Sequence, residues 1–265
     1  MRRFATTFLV SFLLAITVSG PASAAVGPPA QAVAAGLGTL GFDEEFTGPL
    51  DIGYGTSGHK WNAGLWWESV PSSSAFHIQN HVLTITASAS QNVELCTQYH
   101  DASGGTYFQG GYFEASMRCT DWSAFWLYCT KRPQIYGNLI SVSNPLSWTN
   151  EIDIVETDPG SLNAVWCTLH KNTSGDGGVP DGQNNPDQFN VPYPVLGVWH
   201  TYGVLWTRDQ ITWYVDNVKV ASVAPYQSTW QPVQLILSAQ PGGVNGSPSS
   251  VLPPTTEVQW VRVWQ

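Results

Sequence analysis

The sequence is poor in charged residues, and positive charge is the scarcer sign. Charged residues make up 11% of the 265 residues, and 10 Lys and Arg stand against 19 Asp and Glu, which gives a formal net charge of −9. Proteins that bind nucleic acids need clustered Lys and Arg to neutralise phosphates. This composition therefore excludes a nucleic-acid partner.

Long apolar runs are also missing beyond the N-terminus, so no segment there could span a membrane. At the N-terminus, Arg2 and Arg3 precede a short apolar run over residues 8–18 and an Ala-x-Ala cleavage site that ends at Ala24. This order is typical of a secretory signal peptide. We therefore expect residues 1–24 to be removed from a secreted protein, extracellular or periplasmic, that has no membrane association after cleavage.

The four cysteines lack the spacing of a zinc motif. An even number of cysteines in an exported chain predicts two disulfides, and three pairings are possible. Buried free thiols are the alternative. The residues concerned are Cys96, Cys119, Cys129 and Cys167.

No segment repeats its apolar residues at a sustained helical period with caps, whereas short strand patterns are frequent. The 25 Gly and 18 Pro supply many turns between them. Strands are predicted at residues 77–87, 111–117 and 258–264, and a hairpin that turns at Asp216-Asn217 is predicted at residues 211–223. Many short strands separated by turns predict an all-β antiparallel β-sandwich, a jelly roll of the concanavalin A-like type.

The composition changes once along the chain. Residues 25–36 are rich in Ala, Gly and Pro and are predicted to form a flexible linker. Residues 37–265 contain no composition break or internal repeat, so we expect one domain there, and a monomer.

What the sequence has in abundance is Trp, with 13 residues. An indole ring can stack on the apolar face of a sugar, although many of these residues are expected to fill the core instead. The composition is thus compatible with a carbohydrate ligand.

The stretch EIDIVET at residues 151–157 places three acids among β-branched residues, which favour a strand. Side chains alternate between the two faces of a strand, so Glu151 and Asp153 share one face and Glu156 points to the other. One bulged residue between Asp153 and Glu156 would bring all three acids to one face. Such a row of carboxylates is costly in repulsion and desolvation, which points to catalysis, with a solvated acidic edge as the alternative.

Two carboxyl groups that approach to about 5 Å are the machinery of retaining glycosidases. In this interpretation Glu151 is the nucleophile and Glu156 is the general acid/base. Asp153 lies between them and keeps their proton affinities apart, because a neighbouring negative charge favours the protonated acid.

The acid motif resembles the ExDxxE signature of glycoside hydrolase family 16, which includes laminarinases, agarases and carrageenases. Other segments are similar to elements of that family in the same order along nearly the whole mature chain. They are FDEEF at 42–46, GYFEA at 111–115, WSAFW at 122–126, WHTY at 199–202, ITWYVDN at 211–217 and VQWVRVW at 258–264.

The resemblance implies a β-jelly-roll endoglycosidase with a concave cleft and the same roles for Glu151, Asp153 and Glu156. It also implies that the substrate-binding residues are Trp122, Trp126, Trp148 and His170. A polysaccharide is the expected partner, and no cofactor or metal is expected. The position of an acidic calcium ligand in several family members corresponds to Gln259 here, so we expect no calcium site there.

The residues around the expected cleft depart from the family pattern. Members that act on β-1,3-glucan commonly carry Trp-Pro-x-x-Gly before the first catalytic Glu, and this chain has LSWTN at 146–150. Ser123 also replaces the Pro of the family's WPAFW segment. We therefore expect a retaining endo-β-glycosidase that hydrolyses a β-1,3- or β-1,3/1,4-glucan, with an algal galactan as the rival substrate.

Two further alternatives keep the same fold. A non-catalytic carbohydrate-binding jelly roll would be expected to lose at least one catalytic Glu, and both are present. A transglycosylase would use the same residues, so the sequence does not separate it from a hydrolase.

Overall fold

The computed structural model describes residues 27–101, 103–129, 149–172, 188–225 and 230–265. The predicted signal peptide and Trp148 lie outside these ranges. Two short helices are described, α1 (Ala30–Ala34) and a 3₁₀ helix (Ser73–Ala75), and no helix among the described residues has the length and apolarity needed to cross a membrane. The strands are β1 (Leu40–Glu44), β2 (Ile52–Gly53), β3 (Trp61–Ala63), β4 (Phe76–Gln79), β5 (Val82–Thr86), β6 (Val93–Cys96), β7 (Gly111–Cys119), β8 (Trp122–Cys129), β9 (Thr149–Glu156), β10 (Ala164–Asn172), β11 (Gln188–Asn190), β12 (Trp199–Trp206), β13 (Ile211–Val215), β14 (Val218–Val223), β15 (Val233–Gln240) and β16 (Thr255–Trp264).

Within the described ranges these strands form two eight-stranded sheets. Sheet A has the order β14-β13-β12-β7-β16-β5-β4, with β1 also paired to β16. Sheet B has the order β11-β10-β9-β8-β15-β6-β3-β2. All described strand pairs are antiparallel except β2–β3. The predicted all-β antiparallel class is thus confirmed.

The core lies between the two sheets and follows from the alternation of side chains along the strands. On β7, Phe113, Ala115 and Met117 all belong to one continuous apolar cluster. On β9, Ile152 and Val155 belong to the same cluster. Because each central strand gives alternate residues to this cluster, the remaining residues of sheet B face away from it. We call that surface the outer face of sheet B.

Two hairpins have tight two-residue turns. Asp216 and Asn217 join β13 to β14 with φ of 50° and 63°, as expected for a type I′ turn and as the sequence predicts. Asn80 and His81 turn in the same way, with φ of 52° and 62°. The prediction of one strand over residues 77–87 is therefore wrong: β4 and β5 form a hairpin there, whose turn residues carry no Gly or Pro to mark it in the sequence.

The segment expected to be a flexible linker contains α1. Ala32 is buried in a small cluster with Tyr112 and Trp264, and the Gln31 Nε2 donates to the Tyr112 hydroxyl at 2.6 Å. These contacts attach residues 30–34 to sheet A.

The prediction of two disulfides is wrong, because no disulfide joins any of the four cysteines in the structure. Cys96 and Cys129 lie on strands separated by β15, at about 10 Å, which exceeds the reach of a disulfide. The Cys96 Sγ donates to the Gly64 and Gln98 carbonyls, and burial raises the pKa of Cys96 to about 12. Buried thiols, the alternative left open by the sequence, describe Cys96, Cys119 and Cys167.

Candidate active site

A bulge in β9 decides which way its acids point. Phe125 on β8 pairs with Val155, and the next residue, Trp126, pairs with Asp153, so Ile154 has no opposite residue. The pairing between β9 and β10 shifts at the same place. The bulge predicted between Asp153 and Glu156 is thereby confirmed.

The extra residue returns Glu156 to the face of Glu151 and Asp153. Ile152, Ile154 and Val155 are all buried in the core, whereas Glu151 and Glu156 are only partly buried. We call Glu151, Asp153 and Glu156 the acid row. It lies on the outer face of sheet B, on a central strand flanked by β8 and β10.

The middle member of the acid row is paired with a histidine. Asp153 is 4% exposed, and its Oδ2 lies 2.6 Å from the His170 Nε2. His170 comes from β10, where it pairs with Glu151. Burial disfavours the charged imidazole, but the neighbouring carboxylates, Asp153 foremost, outweigh burial and raise the pKa of His170 to about 10. His170 is therefore a cation at neutral pH and holds Asp153 as its counter-ion.

Glu156 is the acid of the row that stays protonated. Burial and, next, the negative charge of Asp153 raise the pKa of Glu156 to about 8, and the Trp122 Nε1 donates to its Oε1 at 2.8 Å. At neutral pH this side chain can donate a proton and, once deprotonated, can accept one.

Glu151, Asp153 and His170 are also a possible metal-ligating group, because one ligand atom from each lies within 4.8 Å of the others. The hydrogen bond between Asp153 and His170, together with the cross-strand pairing of His170 with Glu151, accounts for this closeness.

The predicted substrate-binding residues lie close to the acid row where the structure describes them. Trp122 and His170 contact Glu156 and Asp153 directly, as given above. Trp126 pairs with Asp153 across β8 and β9, is partly exposed, and donates from Nε1 to the Ser238 hydroxyl at 2.8 Å. Trp148 lies outside the described residues.

Two aromatic residues extend this surface and were not singled out from the sequence. Tyr128 pairs with Glu151, and its ring lies 5.7 Å from that of Trp126 and 5.2 Å from that of Trp67. Trp67 is 44% exposed and lines a groove of about 420 Å³ with Glu68. The alternation of β8 could have indicated Tyr128, two residues after Trp126. The position of Trp67 comes from a loop and has no such signal.

A second buried acid lies on the same sheet. Glu94 on β6 pairs with Ser238 on β15 and is 3% exposed. Burial, together with a side-chain hydrogen bond to Glu68 and the charge of Glu68, raises the pKa of Glu94 to about 9. Glu94 and Glu68 thus share a hydrogen bond in which Glu94 carries the proton.

Known proteins resemble the chain both in sequence and in fold. Endo-1,3-1,4-beta-glycanase ExsH of Rhizobium meliloti (strain 1021) is 28% identical over 252 residues, which cover 82% of this chain and 49% of ExsH. The kappa-carrageenase of Pseudoalteromonas carrageenovora is 27% identical over 183 residues, which cover 58% of this chain and 43% of that enzyme. The chain spans about half the length of the relatives that it matches.

The crystal structure of the laminarinase from Flavobacterium sp. UMI-01 superposes with a TM-score of 0.61 at 23% identity, over 86% of this chain and 100% of that chain. This likeness confirms the jelly-roll fold. The model of the family described as glycosyl hydrolases family 16 matches residues 67–262, which include most strands of both sheets and the whole acid row. The chain belongs to glycosyl hydrolases family 16.

Proposed function

We propose that the protein is a secreted, retaining endo-β-glycosidase that hydrolyses a β-1,3- or β-1,3/1,4-glucan. The observation that carries the proposal is the bulge at Ile154, because it sets Glu156 on the same face as Glu151 with Asp153 between them. Two carboxyl groups on one face are what double displacement at a sugar requires.

The two steps assign a separate task to each acid. First, a carboxylate oxygen of Glu151 bonds to the anomeric carbon while the glycosidic C–O bond breaks, and Glu156 gives its proton to the leaving oxygen. Glu156, now a carboxylate, then takes a proton from water, whose oxygen attacks the anomeric carbon and releases Glu151. The raised pKa of Glu156 supports the first step, since the acid must begin protonated.

Asp153 and His170 support the acid row electrostatically. The negative charge of Asp153 helps to keep the proton on Glu156 before bond cleavage. The cationic His170 offsets the summed charge of the carboxylates. It lies beside Glu151, where it could also contact the sugar at the cleavage point.

A β-glucan is favoured as the substrate because ExsH, with the larger coverage of this chain, is named an endo-1,3-1,4-beta-glycanase. A galactan is the second candidate, supported by the similarity to kappa-carrageenase and by the absence of Trp-Pro-x-x-Gly before Glu151. Reducing-sugar release from laminarin, lichenan, agarose, porphyran and κ-carrageenan separates them. Release from laminarin or lichenan supports the proposal, and release from the galactans alone supports the second candidate.

The role of Glu151 is tested by Glu151→Gln, which keeps the size of the side chain and removes the nucleophile. We expect turnover to fall by about 10³-fold or more, with an unchanged melting temperature to within a few degrees. Glu257→Gln is the matched control, because Glu257 lies in sheet A and pairs with Arg118. Near wild-type turnover by Glu151→Gln would exclude it as the nucleophile, and inversion at the anomeric carbon by proton NMR would exclude the double displacement.

Secretion rests on the N-terminal pattern of Arg2, Arg3 and the apolar run that ends before Ala24. Expression of the full chain in a bacterial host, followed by N-terminal sequencing of the exported protein, tests it. We expect the mature chain to begin at Ala25. Retention of an uncleaved chain in the cytoplasm would contradict secretion.

A further inference from the structure

The bulge in β9 creates a problem for the backbone that holds the acid row. In a regular sheet each carbonyl of a central strand bonds to an N–H of a neighbouring strand. The unpaired Ile154 disrupts this ladder, and both Asp153 and Ile154 are buried. A buried carbonyl without a donor is costly, so hydrogen bonds to these two carbonyls bear directly on the stability of the bulge.

Side chains in the core supply such hydrogen bonds. The Trp213 Nε1 donates to the Asp153 carbonyl at 2.8 Å, in a buried hydrogen bond that crosses from sheet A to sheet B. The Cys167 Sγ donates to the Ile154 carbonyl at 3.4 Å. Trp213 is fully buried on β13, and Cys167 is buried on β10 between the residues that pair with Asp153 and Glu156.

We propose that Trp213 and Cys167 are positioning residues for catalysis, which lock the bulge of β9 and thereby hold Asp153 and Glu156 in register with Glu151. The Asp153 carbonyl is two bonds from the Cα that carries the Asp153 side chain, so its hydrogen bond fixes the residue that binds His170. Neither Trp213 nor Cys167 is on the outer face of sheet B. Both act through the backbone alone.

The same geometry explains why Trp213 is an indole and not another large apolar residue. Its ring is packed in the core among residues of both sheets, where any large side chain would fill space. Only the Trp side chain combines that volume with an N–H donor and is long enough for the donor to reach the opposite sheet. Trp206, on the neighbouring β12, is also fully buried, but its Nε1 has no hydrogen-bond partner among the described residues.

This difference provides a matched pair of variants. Trp213→Phe and Trp206→Phe each remove a similar volume from the core, and only Trp213→Phe removes a hydrogen bond to the bulge. We expect kcat to fall about 10-fold for Trp213→Phe, with KM within about twofold, because ground-state sugar binding is unchanged. For Trp206→Phe we expect kcat within about twofold of the wild type. Equal losses of kcat in the two variants would overturn the role of Trp213.

The inference rests on the proposed function, so one readout must be independent of activity. NMR titration of the six histidines in labelled protein measures the pKa of His170 directly. The nearby carboxylates that raise it are Asp153, Glu151 and Glu156. We expect a lower pKa of His170 in Trp213→Phe, because Asp153 is displaced, and an unchanged value in Trp206→Phe. Unchanged values in both would overturn the inference, whereas a wild type inactive on every polysaccharide would overturn the proposed function alone.

Cys167 gives a second test that survives if Trp213→Phe does not fold. Cys167→Ala removes the donor to the Ile154 carbonyl, Cys167→Ser retains one, and Cys119→Ala is the control for the loss of a buried thiol from the core. We expect kcat to fall about threefold in Cys167→Ala and to recover in Cys167→Ser, with no change in Cys119→Ala. Equal kcat in Cys167→Ala and Cys119→Ala would overturn the role of Cys167.

Discussion

Sheet B carries two acids with a raised pKa, Glu156 and Glu94, and they differ in their partners rather than in their proton affinity. Glu156 and Glu94 both have a strongly raised pKa, to about 8 and about 9, with burial as the largest cause in each case. Glu156 is bonded by the Trp122 indole and lies near the cationic His170, whereas Glu94 is bonded to another carboxyl, that of Glu68. A raised pKa alone therefore does not distinguish a catalytic acid from a structural one.

The difference lies in what happens when each acid loses its proton. A deprotonated Glu156 finds an N–H donor and a cation nearby, so its charge is tolerated during a reaction cycle. A deprotonated Glu94 would face Glu68 in a buried setting, which is costly. We infer that Glu156 can cycle its proton and that Glu94 keeps its own.

The largest expected contrast is in turnover of polysaccharide. Glu156→Gln should lower kcat by about 10²–10⁴-fold, because proton donation to the leaving oxygen is lost. Glu94→Gln, the matched change in the other pair, should leave kcat within about twofold. Assays on polysaccharide and on an aryl glycoside with a good leaving group check this, and the loss in Glu156→Gln should be much smaller on the aryl glycoside. Comparable losses in the two variants on polysaccharide would erase the distinction between the two acids.

A smaller effect is expected when the charge inside the acid row is removed. Asp153→Asn should lower kcat by about 10²-fold, because the hydrogen bond to His170 is weakened and the side chains of the acid row are held less firmly in position. Glu156 must be protonated to act, so activity in the wild type should decline above its pKa of about 8. Loss of the Asp153 charge lowers that pKa, and the alkaline limb of kcat/KM should move to lower pH. An alkaline limb that stays in place would show that Asp153 does not control Glu156.

The smallest effect concerns stability rather than turnover. The pKa of Glu94 rises from an ordinary value of 4.5 to about 9 on folding, so between these values the folded chain holds a proton that the unfolded chain has released. Stability from this group is therefore complete below pH 4.5 and declines as the pH rises towards 9. Glu94→Gln cannot ionise, so its melting temperature relative to that of the wild type should be higher at pH 8 than at pH 5. The difference should be about 2–4 °C for each kcal/mol of unfolding free energy that the wild type loses between the two pH values.

Thermal melts of Glu94→Gln and Glu257→Gln at both pH values check this prediction. Glu257 forms an ion pair with Arg118 near the surface, so Glu257→Gln should not raise the melting temperature at pH 8. A gain in both variants would point to net charge as the cause instead of the buried carboxyl pair.

Local patterns in the sequence predict the strands and the bulge because both depend on neighbouring residues. The parity of Glu151 and Glu156 shows that one extra residue after Asp153 would bring all three acids to one face, and the structure has that residue at Ile154. The turn at Asp216-Asn217 is predicted for the same reason. The hairpin at Asn80-His81 was missed because its turn residues carry no Gly and continue a polar run.

Contacts between distant residues escape such patterns. An even number of cysteines predicts disulfides, but β15 separates Cys96 from Cys129. Glu68 and Glu94 are 26 positions apart in the chain and meet through the loop that also carries Trp67. No periodicity in either segment indicates this pairing.

The sequence by itself determines the all-β class, the family and the parity of the acid row, since side-chain alternation and a specific motif are local properties. Only the tertiary structure decides what holds that row in place and what sets its protonation. The Trp213 indole reaches the Asp153 carbonyl from the opposite sheet, 60 positions away in the chain. Burial raises the pKa of Glu156 on the outer face of sheet B. Both effects depend on distances and a dielectric environment that exist only in the folded chain.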